Sequence, residues 1–254
     1  PEMNLYYIGF GCHRPPLDRL EVRRTIARSI QPDRFRKALY GEVAELAEGP
    51  VPPGLLGAQA SGSSNGGNSD ENSREGLDTV HESAHMTIRP IELWYVESDS
   101  TTSLAMEAVQ ADLEAAGIEC RLRKTDPTTY GSRRREGRFD LFYANWWADY
   151  PDADNFLSPL FLSGSSSNHT RFSDPETDRL ILAARREWDP DRRAKLEREV
   201  LDRIQSLAPA VFLWHRGSEA LTQPWVEGYR PPALFHGTLF LDLRVHGFRE
   251  GRLE

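Results

Sequence analysis

The chain has 254 residues, 39% of them hydrophobic and 28% charged, values that exclude wholesale disorder and allow one large core or two small ones. A formal net charge of -8 leaves no broad basic field for a phosphate backbone or an anionic lipid surface, so nucleic acid is not expected as a partner. The longest apolar runs, such as Ala210-Val211-Phe212-Leu213-Trp214, fall far short of the ~20 residues that span a bilayer.

Pro1-Glu2-Met3-Asn4 leads straight into Leu5-Tyr6-Tyr7-Ile8, without the basic start and apolar stretch of a signal peptide, which fits a processed or excised piece. Residues 4 to 10 (NLYYIGF) are rich in aromatic and β-branched side chains and predict a strand ending at Gly11. Asp18 with Glu21 three positions later resembles a capping box, and Val22, Ile26 and Ile30 then recur at helical spacing. Pro32 starts a second short helix carrying Phe35 and Leu39 and closed by Gly41, after which Pro50, Pro52, Pro53 and Gly54 form a rigid turn.

From Ala58 to about Gly76 the composition turns to Ser, Gly and Asn, too polar to bury anything, and predicts a mobile surface loop. Ile88 to Val96 reads as a strand, Leu104 to Ala116 as a helix stopped by Gly117, and Ile118 to Leu122 as the next strand. That order is the unit of a parallel sheet with a right-handed crossover. Thr128 to Arg135 is a short polar helix, and Phe139 to Trp146 an aromatic strand that runs into Trp147-Ala148-Asp149-Tyr150-Pro151. A helical turn over Asn155 to Leu160 and a polar loop over Gly164 to Thr170 come next. Asp174-Pro175 and Asp189-Pro190 lead two helices, the second with Leu196, Val200, Ile204 and Leu207 on one face. Strands over Ala210 to His215 and Thr238 to Val245 finish an α/β chain without internal repeats. Cys12 and Cys120 sit in no metal pattern and read as two unpaired thiols, one bridge being the alternative.

Several landmarks then agree in order. Tyr7-Ile8-Gly9-Phe10 through Pro15-Pro16-Leu17-Asp18 to Val22-Arg23, Gly49-Pro50-Val51-Pro52-Pro53-Gly54, and Phe139-Asp140 through Trp146, Ala148-Asp149-Tyr150-Pro151-Asp152 and Asn155-Phe156-Leu157 resemble the C-terminal half of the family 5 extracellular solute-binding proteins. Asn168 to Phe172, Asp178 to Leu180 and Asp189 to Arg193 follow in the expected sequence. The resemblance covers nearly all of the chain except residues 58 to 86, where the family's short helix gives way to the Ser/Gly loop and His81-Glu82-Ser83-Ala84-His85.

This likeness implies a periplasmic-binding-protein-like lobe (type II, cluster C) with a mixed sheet flanked by helices. Residues 1–220 would form the C-terminal ligand-binding lobe, and residues 221–254 would return toward an N-terminal lobe of the same protein lying outside this chain. It implies a non-enzymatic, extracytoplasmic component of an ABC import system, with a peptide or small-molecule ligand, a membrane permease as partner and no cofactor. In the family's peptide binders the aspartate of the W-x-x-D segment pairs with the ligand's ammonium group, which here assigns Asp149 and Trp146. A desolvated carboxylate needs a cation, and a tryptophan face adds an apolar wall. By strand alternation Trp146 shares a face with Ala144 and Phe142, while Tyr143 and Asn145 share the other. The neighbouring Asn145, Tyr143, Trp147 and Tyr150 are further ligand candidates, with Trp147 expected mainly to anchor the strand in the lobe's core. Arg134, in the Arg133-Arg134-Arg135 run, is a candidate for a ligand carboxylate.

Asp149, Asp152 and Asp154 lack the Gly and later Glu of a calcium loop, so no metal site is assigned there. His81-Glu82-Ser83-Ala84-His85 matches H-E-x-x-H, the pattern of a zinc metalloprotease, but the surrounding polar sequence offers no long amphipathic helix to carry it. No G-x-S-x-G elbow is present, and no catalytic residue is assigned. A sensory solute-binding module of a signalling or transcription regulator is the other reading that the same motifs allow.

Overall fold

The computed structural model describes residues 2–56, 89–97, 99–229, 231, 233–234 and 242–246. The Ser/Gly-rich stretch and His81-Glu82-Ser83-Ala84-His85 lie outside the described residues.

Six strands form one mixed sheet: β1 (Asn4–Phe10), β2 (Ala44–Leu46), β3 (Ile91–Val96), β4 (Cys120–Thr125), β5 (Leu141–Trp147) and β6 (Ala210–Arg216), in the spatial order β2-β6-β1-β5-β3-β4. β3 runs parallel to both β4 and β5, whereas β1 is antiparallel to β5 and β6. Helices cover both faces, as the alternation of apolar residues along the central strands demands. On one side α1 (Leu20–Ser29), α2 (Pro32–Tyr40) and α3 (Ser100–Ala115) bury Val22, Ile26, Phe35, Met106 and Val109 against Tyr6, Ile8 and Phe10 of β1. On the other, α4 (Pro127–Glu136), α5 (Asp154–Phe161), α6 (Pro175–Arg186) and α7 (Pro190–Leu207) bury Tyr130, Phe156, Ile181 and Val200 against Leu5 and Tyr7. A short pair, β7 (Val226–Glu227) and β8 (Arg244–Val245), lies apart from the sheet.

The predicted helices form, with shifted starts. Asp126, Asp174 and Asp189 each accept a first-turn backbone N–H at 2.8–2.9 Å, and a proline follows each of them. The expected capping box at Asp18 and Glu21 does not form: α1 begins at Leu20, and Glu21 instead pairs with Arg19. α3 starts four residues earlier than its apolar pattern suggested, because the Asp99 carboxylate accepts the Thr102 N–H at 2.7 Å. Of the strand expected over residues 238–245, the described part carries only β8. Both cysteines are free thiols.

Two contacts fix the centre. A Cβ on Gly9 would meet the Phe142 ring at 2.3 Å, so β1 approaches β5 only with glycine there. Arg23, 7% exposed, spends its guanidinium on the carbonyls of Leu17, Leu207 and Ala208 at 2.8–3.1 Å. It ties the loop before α1 to the end of α7, which gives the Val22-Arg23 landmark a structural meaning.

Candidate ligand-binding site

Because β1 is antiparallel to both of its neighbours, β5 and β6 run the same way, and β3 runs with them. The C-terminal ends of these three strands share one edge of the sheet, the place where α/β sheets hold ligands. Asp99 follows β3, Asp149 follows β5 and Arg216 ends β6 at this edge.

The ladder between β3 and β5 contains Leu93 opposite Leu141 and Trp94 opposite Phe142, and extends no further among the described residues. Gly11 donates to the Asp140 carbonyl and Ala148 to the Met3 carbonyl, both at 2.8 Å. Even-numbered residues of β5 therefore turn their main-chain groups toward β1, and odd-numbered residues turn theirs away. The first carbonyl beyond the ladder, that of Tyr143, accepts the Tyr130 hydroxyl at 2.6 Å. The N–H and C=O of Asn145 face the same side and have no partner among the described residues. Here a second extended chain can dock by backbone pairing.

The turn after β5 is held by Asn155, which is 3% exposed. Its side-chain oxygen accepts the Asp149 N–H at 3.0 Å and, at a longer 3.4 Å, the Trp146 indole N–H. The sequence marks Asn155 only as the start of a helical turn, and this positioning role goes beyond that pattern. Its only signal was its place in the Asn155-Phe156-Leu157 segment.

The three aspartates of the turn divide by their contacts. Asp152 accepts the Asp154 N–H at 2.8 Å and pairs with Arg193. Asp154 takes the Tyr150 hydroxyl at 3.0 Å, the Ser158 hydroxyl and Arg185. Asp149 is exposed, and no described residue pairs with its carboxylate. Among the described residues no cluster of His, Cys, Asp and Glu could hold a metal ion.

The remaining candidates surround this turn. Asn145 is exposed and Tyr143 buried on one face of β5; Tyr150 is 44% exposed at the rim. Trp146 and Trp147 are both half-buried. Trp146 packs against a buried cluster on the face covered by α5, and strand alternation puts Trp147 on the opposite face. Arg134 sits 5.8 Å from the centre of the Tyr130 ring without a carboxylate partner among the described residues. Burial, helped by Arg134 and Arg171, lowers His169 to about 4, and burial raises Tyr7 to about 12. The adjoining Arg133 stacks 3.9 Å from the Trp94 ring, so part of the arginine run is packed.

A further group at the same edge had no local sequence signal, because β1, β5, β6 and α2 each contribute to it. Tyr6, Tyr143, Trp214 and Tyr40 form an aromatic box with ring separations of 4.9–6.4 Å, and Arg216 lies over two of its rings.

The chain as a whole has relatives among known proteins. The chain is 27% identical over 237 residues to a probable di/tripeptide-binding protein of Pseudomonas aeruginosa, covering 91% of this chain and 44% of that one. In fold it resembles the murein tripeptide binding protein of Escherichia coli, with a TM-score of 0.82 at 21% identity. It also resembles an ABC transporter-associated periplasmic binding protein from Helicobacter pylori in complex with a peptide, with a TM-score of 0.75 at 19% identity. These matches cover 96% and 97% of this chain but 48% of each structure, so the chain spans about half the length of the proteins it matches. The sequence profile of the bacterial extracellular solute-binding proteins, family 5 (middle), matches residues 1–168, and the chain belongs to that family.

Proposed function

We propose that this chain is the peptide-binding lobe of the solute-binding component of an ABC import system, acting outside the cytoplasm and without enzymatic activity. The observation that carries the reading is the line from Asn145 to Asp149. Asn145, whose outward main-chain groups have no partner among the described residues, leads to an exposed carboxylate with which no described residue pairs. A peptide extended along β5 gives its main chain to Asn145 and its ammonium group to Asp149. Trp146 and Trp147 flank that chain on the two faces of the strand, Tyr143 backs it and Tyr150 lies at its rim. Arg134, on α4 beside the Tyr130 ring, receives the terminal carboxylate.

The names of relatives that bind di- and tripeptides support this ligand class. The half-length coverage supports an opposing lobe of the same protein, toward which residues 221–254 lead. In this reading the closed pair of lobes is what the membrane permease meets. Calorimetry on the full-length protein with tripeptides is the direct test. We expect binding that Asp149→Asn weakens by roughly tenfold or more. Unchanged affinity in that variant would remove Asp149 from the site.

A further inference from the structure

Arg216 is a cation with a fixed backbone and, among the described residues, no ion-pair partner. Its N–H donates to the Asn4 side-chain oxygen at 2.8 Å, and its carbonyl accepts the Asn4 amide at 2.9 Å. Its guanidinium lies 5.4 Å from the centre of the Tyr6 ring and 4.9 Å from that of Tyr40. Among the described residues no carboxylate pairs with it, whereas Arg193 and Arg203 have theirs.

The surrounding phenols do not neutralise that charge. Burial pushes the Tyr40 hydroxyl up to about 12 and Tyr143 well above the ordinary tyrosine value, so both remain neutral phenols. Asp99 faces the same two tyrosines and keeps its negative charge; its Oδ1 accepts the Thr102 N–H and hydroxyl at 2.7 and 3.0 Å as the α3 cap, and it forms no ion pair with Arg216. Fully buried Trp214 forms the floor, and its indole N–H has no hydrogen-bond partner among the described residues.

The position relates directly to Asp149. Asn4 is in register with Trp147, so Arg216, Asn4 and Trp147 form a row across β6, β1 and β5. Two interstrand spacings separate the ends of that row by about 10 Å, and a ligand main chain on the outer edge of β5 lies one spacing further, about 14 Å from the Arg216 main chain. The guanidinium itself lies over Tyr6 of β1, about two spacings from that ligand chain, so only a long ligand side chain such as glutamate reaches it. Stacking on two rings fixes the guanidinium plane and leaves its edge N–H groups for an in-plane acceptor, which suits a carboxylate.

We propose that Arg216, held by Asn4 and stacked on Tyr6 and Tyr40, binds an acidic side chain of the ligand and so selects acidic peptides. This rests on the peptide-binding reading above. The test is calorimetry on the full-length protein and its Arg216→Met and Arg216→Lys variants, with Glu-Ala-Ala, Gln-Ala-Ala, Ala-Ala-Ala and the amide of Ala-Ala-Ala. We expect the wild type to prefer Glu-Ala-Ala over Gln-Ala-Ala by roughly tenfold or more, the worth of a charge-assisted hydrogen bond. Arg216→Met should erase that preference while Gln-Ala-Ala affinity stays within about threefold, and Arg216→Lys should retain part of it. No Glu/Gln preference in the wild type, a preference that survives Arg216→Met, or an equal loss for every peptide overturns the assignment. So does a variant effect confined to the terminal amide pair. If none of the peptides binds the wild type, the peptide-binding reading itself fails and takes this one with it.

Discussion

The buried side-chain oxygen of Asn155 accepts the backbone N–H of Asp149 at 3.0 Å, so the direction of an exposed carboxylate is set from inside the lobe. Replacing Asn155 by alanine leaves Asp149 chemically intact but frees its main chain. Asn155→Ala is therefore expected to weaken peptide binding severalfold and to cost about 1 kcal/mol of stability, since the exposed N–H can turn to water. Calorimetry and thermal denaturation measure the two effects, and full affinity in a folded variant would show that Asn155 does not position the site.

Tyr130 guards the point where β5 leaves its neighbour. Its hydroxyl gives the Tyr143 carbonyl a partner where the ladder to β3 ends. Tyr130→Phe leaves that carbonyl without its partner in a buried place, at an expected cost of about 1–2 kcal/mol, readable from the urea midpoint. A midpoint unchanged from wild type would mean that another group satisfies the carbonyl.

Acid sensitivity should concentrate at Asp174. Hydrogen bonds from Arg203, and then from Thr177 at the start of α6, hold its carboxyl well below the usual carboxylate range. A depressed folded-state value means the stabilisation is complete above the unfolded carboxylate value near pH ~4 and fades as the pH falls below it. Asp174→Asn should flatten the loss of stability below about pH 4. Unfolding midpoints followed across that range give the comparison, and parallel slopes for the two proteins would refute the claim.

Neither thiol should be reactive in the native state. Burial raises both Cys12 and Cys120 to about 12, leaving almost no thiolate at neutral pH. Titration with a coloured disulfide reagent at pH ~8 should show both thiols slow in buffer and fast in denaturant. Rapid native labelling of Cys120 would contradict its burial.

The order of strands and helices was legible in the sequence wherever one local rule governed it. The aromatic and β-branched run at residues 4–10 became β1, and the Asp-Pro pairs became the starts of α6 and α7, because pleat alternation and helix capping act within a few residues. Where two local rules competed, the apolar pattern alone misled. Asp99 began α3 ahead of its first apolar residues, and Arg19 took the partner that Asp18 was expected to engage.

The sequence by itself thus determined the α/β class and the family landmarks and singled out Asp149 as a candidate. Only the tertiary structure decided which aspartate of the turn stays unpaired among the described residues and that Arg216 lies two strands from β5. Those outcomes depend on Arg193 and Arg185 reaching Asp152 and Asp154 from other helices, and on strand order bringing β6 within two strands of β5. Such contacts join residues far apart in the chain. No spacing along the chain encodes them, because they are set by packing of the whole core.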